Sequence, residues 1–325
     1  MARPARPLPS ALPDAFTVTQ ARSAGVTTGR LRGRDLGRPF RGIRMRRAGA
    51  ADAPDETPLA RDRAQRRRVT RLARAYLPIM APHAFFSGRT AAVLHGLPIG
   101  HGDGLDVATL TPHRSPRRRG IRGRRFRDGL IDVQELDGLR LTTPATTWST
   151  LGAELTVREL VILGDAIVRV PRDARGQLHP ELALGTIDDL RDAIARGPRP
   201  GIGRLREAVE QVRVGSSSPL ETEYRLDAAA AGLPEPALDH VVRDSLGRML
   251  GISEFAHVAE RVAVEIEGDH HRTSRAQWRR DLDKYAAYAE AGWEVVRLAA
   301  NRVRDPNRSG VKRVRAALRR RGSEI

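Results

Sequence analysis

The stretch Arg261–His271, RVAVEIEGDHH, ends an apolar run in two carboxylates one residue apart, followed by a glycine and paired histidines. Side chains alternate along a strand, so Glu265 and Glu267 share one face while Val262, Val264 and Ile266 point the other way, into a core. Two acids on one face repel unless a cation or a water lies between them. Two further acids stand at workable distances. Glu221 opens a helix in SSPLETEYRL, and Glu254 lies in GISEFAHV, which reads as the preceding strand. A hairpin would set Glu254 beside Glu265. Together these residues form a candidate constellation for a divalent cation.

Each residue also has a plain structural explanation. Glu221, close behind a serine and a proline, could serve only as a capping acid at a helix N-terminus. Glu265 and Glu267 could form the solvent face of an edge strand, and His270 and His271 could be surface residues near a loop. Trp278 and Trp293 are read as core.

The elements that must hold these residues form a unit of their own at 215–325. Gly215–Pro219, GSSSP, marks a boundary. Pro219 behind a serine cap predicts a helix from about Leu220 to Ala231. Strands follow at Leu238–Arg243, Met249–His257 and Arg261–Ile266. A helix over Gln277–Glu290 is closed by Gly292, a strand covers Glu294–Leu298, and a last helix spans Val311–Arg321. The order α-β-β-β-α-β-α predicts an α/β sandwich with a mixed sheet.

Upstream, residues 1–13 are rich in proline and arginine, and a disordered tail is expected. Residues 14–50 read as a winged helix-turn-helix. FTVTQARSAG gives a short helix capped near Thr17 or Thr19 and stopped at Gly25, and VTTGRLRGRDLG gives a second behind Thr27 or Thr28. FRGIRMR alternates apolar and basic residues as a wing would. Arg30, Arg32 and Arg34 on the second helix, with Arg44 and Arg46 on the wing, are candidate DNA contacts. An ordinary helical hairpin with a solvated arginine face is the alternative. Residues 59–200 read as an α+β region, with an amphipathic helix at 59–77, a capped helix at Ser87–Leu97 and strands from Leu105 to Leu141. The loop His113–Arg125 is the densest positive patch, and Arg117, Arg118 and Arg119 are candidate phosphate contacts there.

The bulk numbers agree with this division. At 325 residues two or three domains are expected. A formal charge of +18 makes a polyanion the default partner, because neutralised phosphates release counterions. The absence of cysteine excludes disulfides, cysteine-zinc sites and thiol catalysis. No apolar run approaches the roughly 20 residues of a membrane helix and no signal-peptide core is visible, so a cytoplasmic protein without membrane contact is expected.

From Ser218 to Arg321 the chain resembles the DUF559 family, which is similar to the very-short-patch-repair mismatch endonucleases of the PD-(D/E)xK superfamily. The likeness rests on S-P-L-E at 218–221, the strand acid at 254, V-E-I-E-G-D-H-H at 264–271, R-D at 280–281 and A-G-W-E-V-V-R-L-A-A-N at 291–301. It implies a restriction-endonuclease-like domain and metal-dependent hydrolysis of DNA. It further implies Glu254 as principal metal ligand with Glu265 or Glu267 beside it, and Glu221 binding through water or orienting the cluster. His271 would act as general base or protonate the leaving oxygen. Asp281 would orient a histidine, and Arg280 or Lys284 would clamp phosphate. The chain departs from the family in carrying Glu where most relatives have Asp at 254 and 267, and position 267 is an acid where the superfamily's E-x-K has lysine.

The front half resembles the AbiEi-type antitoxin and transcriptional-regulator family, through the helix-turn-helix, SGRTAAVLHGL at 87–97 and LTTPATTW at 141–148. This implies DNA as a partner and a cognate toxin protein as another. It also carries the alternative to an enzyme, a non-catalytic regulator or antitoxin built on a degenerate nuclease fold.

Overall fold

The computed structural model describes residues 6–47, 58–173, 175–267 and 275–325. The chain folds into two compact units, Met1–Thr150 and Leu151–Ile325, both mixed α/β. Among the described residues no helix is long and apolar enough to cross a membrane.

The first unit begins with strand β1 (Ala15–Thr17) and helix α1 (Val18–Ser23). Thr17 caps α1 in a reciprocal capping box with Gln20, and Gly25, at φ 78°, turns the chain away. The second helix expected from the sequence is not an α-helix. Residues Arg30–Arg32 make one 3-10 turn between Gly29 and Gly33, because two glycines four residues apart leave too little backbone preference to propagate a longer helix. Strands β2 (Leu36–Gly37) and β3 (Ile43–Arg46) pair antiparallel in the sheet order β1-β3-β2. The tail expectation also needs correction from residue 6 onward. Leu8 and Leu12 are buried with Phe16, Ala21, Val26, Leu31 and Leu36, so two leucines pin the proline-rich segment to this small core.

Helix α2 (Pro58–Tyr76) leads to strand β4 (Phe85–Phe86), helix α3 (Gly88–Leu94) and strands β5 (Leu105–Leu110), β6 (Ile121–Phe126), β7 (Val133–Leu136) and β8 (Leu139–Thr142), and the unit closes with helix α4 (Pro144–Thr150). These strands form a mixed sheet of order β6-β5-β4-β8-β7. Val69, Ala73 and Tyr76 of α2, Val93 and Leu94 of α3, and Phe86, Leu105, Val107 and Leu141 of the sheet share one core. His95 is packed here, with Nε2 2.8 Å from the Thr142 carbonyl, and burial holds its pKa below the ordinary value.

The second unit opens with helices α5 (Val157–Val168), α6 (Ile187–Ala195) and α7 (Ile202–Val209), the first two capped by Thr156 and Thr186. The unit boundary therefore falls inside the stretch 59–200 that the sequence presents as one region. A buried ion pair is one of the ties on the second unit's side. Asp165 of α5 accepts hydrogen bonds from Arg225 (2.7 Å), the Thr222 hydroxyl (2.8 Å) and the Arg213 N–H (2.8 Å), tying these helices to the residues that follow.

Those residues form helix α8 (Pro219–Ala230), strands β9 (Ala237–Arg243), β10 (Met249–His257) and β11 (Val262–Glu267), helix α9 (Arg275–Glu290), strand β12 (Glu294–Ala299) and helices α10 (Ala300–Val303) and α11 (Ser309–Arg320). The sheet order is β12-β11-β10-β9, an antiparallel meander joined to a parallel β11–β12 pair by the α9 crossover. One face carries Phe255, Val264, Ile266, Val296 and Leu298 against Tyr224 and Ala228 of α8 and Val311, Val314 and Leu318 of α11. The other face carries Val242, Ala256 and Ala263 against Tyr288 of α9 and Trp293. Strand alternation thus supplies two cores from one sheet, each buried aliphatic contributing about 1.5–3 kcal/mol.

Candidate active site

Glu221 lies in the first turn of α8. Ser218 caps the helix, its Oγ accepting from the Glu221 N–H at 3.2 Å. The carboxylate reaches back to accept from the Ser217 N–H (2.7 Å) and the Ser218 hydroxyl (2.8 Å). Glu221 is therefore the capping acid of the plain explanation, yet it is also buried, at 5% exposure. Burial raises its pKa against the lowering effect of Ser217, Ser218 and Arg169, and Asp239 adds to the rise.

Glu254 lies on β10 and Glu265 on the facing β11. The register Phe255↔Val264 runs the hairpin up to these two positions. Beyond it the Ile266 N–H donates to Glu254 Oε2 at 2.5 Å, so a side chain continues the ladder. Glu254 shares strand parity with Ala256, and Glu265 with Ala263, so both emerge on the α9 face. Glu254 is half-buried as a residue, but its carboxyl is enclosed. Its pKa stands well above the ordinary value, first through burial and then through the negative charges of Glu221 and Glu265, with the Ile266 N–H and Lys284 acting in the opposite sense.

Lys284, on the sixteen-residue α9, sends its ammonium to Glu265 Oε2 at 2.8 Å. The same ammonium lies 5.4 Å from the Tyr288 ring centroid and 5.6 Å from that of Tyr285. An aromatic pair thus confines the lysine on its own helix. Glu267 is turned elsewhere, pairing with Arg297 of β12, whose guanidinium lies 5.0 Å from the Tyr285 ring.

The structure therefore brings Glu221, Glu254, Glu265 and Lys284 into one electrostatic cluster from α8, β10, β11 and α9, and leaves Glu267 in a separate ion pair. Among the described residues no three His, Asp or Glu groups are already assembled as metal ligands. The donors nevertheless suit a hard divalent cation: all are carboxylates, Glu221 and Glu265 are buried, and the negative charges of Glu221 and Glu265 add to the burial that raises the Glu254 pKa. His270 and His271 lie outside the described residues. Arg280 and Asp281 fall within α9, and their side chains lie outside the described set.

Several residues of this neighbourhood went unpredicted. Arg172 of the second unit pairs with Asp239 of β9 at 2.6 Å, beside Glu221, and nothing local marks such a long-range pair. Tyr285 and Tyr288 did carry a signal, standing one and four positions after one of only two lysines in the chain.

The predicted DNA-contact arginines divide into two sets. Arg30 is bidentate with Asp35 (2.9 and 2.6 Å), Arg44 donates to the Leu31 and Ile43 carbonyls, and Arg46 lies within 3.5 Å of the Pro9 and Leu12 carbonyls. These three hold the small N-terminal core together. Arg32 and Arg34 are exposed, as are Arg117, Arg118 and Arg119, of which Arg118 donates to the Arg41 carbonyl at 3.1 Å.

No family model matches the chain. Over 177 residues it is 28% identical to uncharacterized proteins from two strains of Mycobacterium tuberculosis, CDC 1551 / Oshkosh and ATCC 25618 / H37Rv. The matched stretch is 54% of this chain and 61% of each relative, so the chain spans about three-fifths of the length of the curated relatives it matches.

Proposed function

We propose that this is a DNA-binding protein whose second unit carries an endonuclease-like site of the PD-(D/E)xK kind for phosphodiester hydrolysis. The observation that carries the reading is Glu254 and Glu265 side by side on the β10–β11 hairpin, with Lys284 from α9 held against Glu265 at 2.8 Å and the charge of Glu221 acting on the Glu254 carboxyl. The order of strands and helices around them supports it too.

Glu254, Glu265 and Glu221 would hold Mg²⁺ or Mn²⁺, which when bound supplies Lewis-acid polarisation of a phosphoryl oxygen. The chain's own groups have separate parts. Lys284, oriented by Glu265 and confined by Tyr285 and Tyr288, offers a fixed positive charge to a non-bridging phosphate oxygen. This ammonium supplies from α9 the charge that the strand position 267 lacks. Burial first, and then the charges of Glu265 and of Glu221, itself locked by Ser217 and Ser218, keep the Glu254 carboxyl receptive to a proton. His271 remains the proposed general base, with Asp281 and Arg280 as its proposed neighbours.

One observation favours a second reading, a non-catalytic regulator or antitoxin that uses this fold as a platform, with a toxin as partner. The Glu254 and Glu265 carboxylates are already engaged, by the Ile266 N–H and by Lys284, and no ligand triad is assembled among the described residues.

A nicking assay on supercoiled and mismatch-bearing plasmid with Mg²⁺ or Mn²⁺ separates the two. Nicking by the wild type that is abolished in Glu265→Gln and Lys284→Ala, both still folded by circular dichroism, is the result expected of the enzyme. A gel shift without nicking under either metal would leave the regulator.

A further inference from the structure

We infer that the loop between β5 and β6 is a preorganised seat for the sugar-phosphate backbone of duplex DNA, an inference that rests on DNA being the partner. The charge distribution gives the first argument. Residues 1–150 hold 28 Arg against 12 Asp and Glu, a surplus of 16 out of the whole-chain 18. The polyanion-binding capacity thus sits almost entirely in the first unit, apart from the carboxylate cluster.

Within that unit three of the N-terminal arginines are committed. Arg30, Arg44 and Arg46 spend their guanidinium groups on Asp35 and on backbone carbonyls. The β5–β6 loop is different. Arg114, Ser115 and Arg117 of the loop, with Arg125 of β6, line a cleft of about 700 Å³. Among the described residues no acidic side chain pairs with Arg114, Arg117 or Arg125, and all three are exposed. Unpaired guanidinium groups beside a hydroxyl are the chemistry that grips phosphate oxygens.

The loop is also held in place. Gly123 of β6 lies directly under the loop: a Cβ there would stand 1.9 Å from the Pro116 carbonyl oxygen, so only glycine lets the loop lie against the strand. His113 stacks on His83 with ring centroids 3.8 Å apart, and Arg118 bonds to the Arg41 carbonyl. At the start of the loop the Thr111 N–H donates to the carbonyl of Phe126, the last residue of β6, at 2.9 Å, and at its end the Gly120 carbonyl accepts from the Leu105 N–H at 2.9 Å. A fixed loop loses little entropy on binding, which favours affinity.

The lining also indicates what the cleft ignores. Among the described residues that line it there is no Asn or Gln to read adenine and no aromatic ring on which an unpaired base could stack. The seat therefore lacks a partner for adenine and a platform for an unpaired base, and is suited to gripping the backbone of a duplex rather than a single strand.

The test is fluorescence anisotropy with the full chain, two duplexes of unrelated sequence and one single strand, each across a salt series. The triple variant Arg114→Ala/Arg117→Ala/Arg125→Ala should bind both duplexes at least tenfold more weakly and lower the slope of log K against log salt by about 2–3. Arg32→Ala/Arg34→Ala should lose less. Gly123→Ala removes no charge and should still weaken binding severalfold, through displacement of the loop. Wild-type chain that binds neither duplex at low salt would overturn the DNA reading itself. Binding by the wild type with the triple variant unchanged would overturn this inference alone, as would a preference for single strand or a loss confined to one sequence. Full affinity in a folded Gly123→Ala would overturn the preorganisation.

Discussion

Lys284 and Glu265 face each other across the boundary between α9 and β11, ammonium to carboxylate at 2.8 Å, with side-chain exposures of 21% and 8%. Removing one partner of such a pair strands the other in a poorly solvated site. Lys284→Met should therefore destabilise the second unit by about 2–3 kcal/mol, less than the roughly 3–5 of a fully buried pair because the lysine keeps some water contact. Lys284→Met/Glu265→Gln should recover most of that loss. Urea unfolding of the full chain measures both, and equal stability of single and double variants would refute the pairing.

The raised pKa of Glu254 makes stability depend on pH in a defined direction. Its carboxyl keeps its proton in the folded state after the unfolded chain has released one near the ordinary value of 4.5. The contribution is fully present below that pH and is lost as pH rises through the folded pKa, at up to about 1.4 kcal/mol per pH unit. Glu254→Gln should flatten this decline and be more stable than wild type at pH 8 without exceeding it at pH 4. Parallel unfolding curves for the two proteins across that range would contradict the burial of this carboxyl.

Divalent cations should act against the same decline. Mg²⁺ or Mn²⁺ is expected to raise the melting temperature of wild type, more at pH 8 than at pH 5, because deprotonated carboxylates are the ligands. Linkage gives about 2.7 kcal/mol at a hundredfold excess over Kd. Glu254→Ala/Glu265→Ala should show no shift, and a shift equal to wild type would move the cation elsewhere.

Asp165 anchors α5 with a carboxylate that is 1% exposed and accepts from Arg225, Thr222 and the Arg213 N–H. Asp165→Ala leaves the Arg225 charge without its counter-ion and should cost about 3–5 kcal/mol. Loss of hydrogen-exchange protection in α5, α6 and α7 before the β10–β11 hairpin would report the uncoupling of these helices from the residues that follow them. Full protection in both would show that packing alone holds them.

The legible parts of this fold were those written in local chemistry. Ser218 before Pro219 marked the start of α8, and alternation with β-branched residues marked β11 and β12. Gly292 marked the end of α9, and hairpin spacing was enough to set Glu254 beside Glu265. The illegible parts depend on distance or on competition. Leu8 and Leu12 find a core only after β1 and the Arg30–Arg32 turn exist. The turn itself stays short because Gly29 and Gly33 outweigh the threonine caps before it. Asp165 and Arg225 are 60 residues apart, and no periodicity links them. Glu267 shares its face with Glu265, as expected, but Arg297 on the neighbouring parallel strand captures it.

The uneven charge of the two units bears on which half of the molecule fails first under stress. The first unit folds against its own surplus of 16 positive charges, whereas the second carries a surplus of only 2. In dilute buffer that repulsion acts over some 30 Å, and at 0.15 M salt over about 8 Å. Added salt should thus strengthen Met1–Thr150 and leave Leu151–Ile325 nearly unaffected, so the two melting transitions separate at low ionic strength and converge as it rises. An anionic polymer lying on the first unit would do the same work as salt, making its fold conditional on ionic company in a way that the second unit's is not.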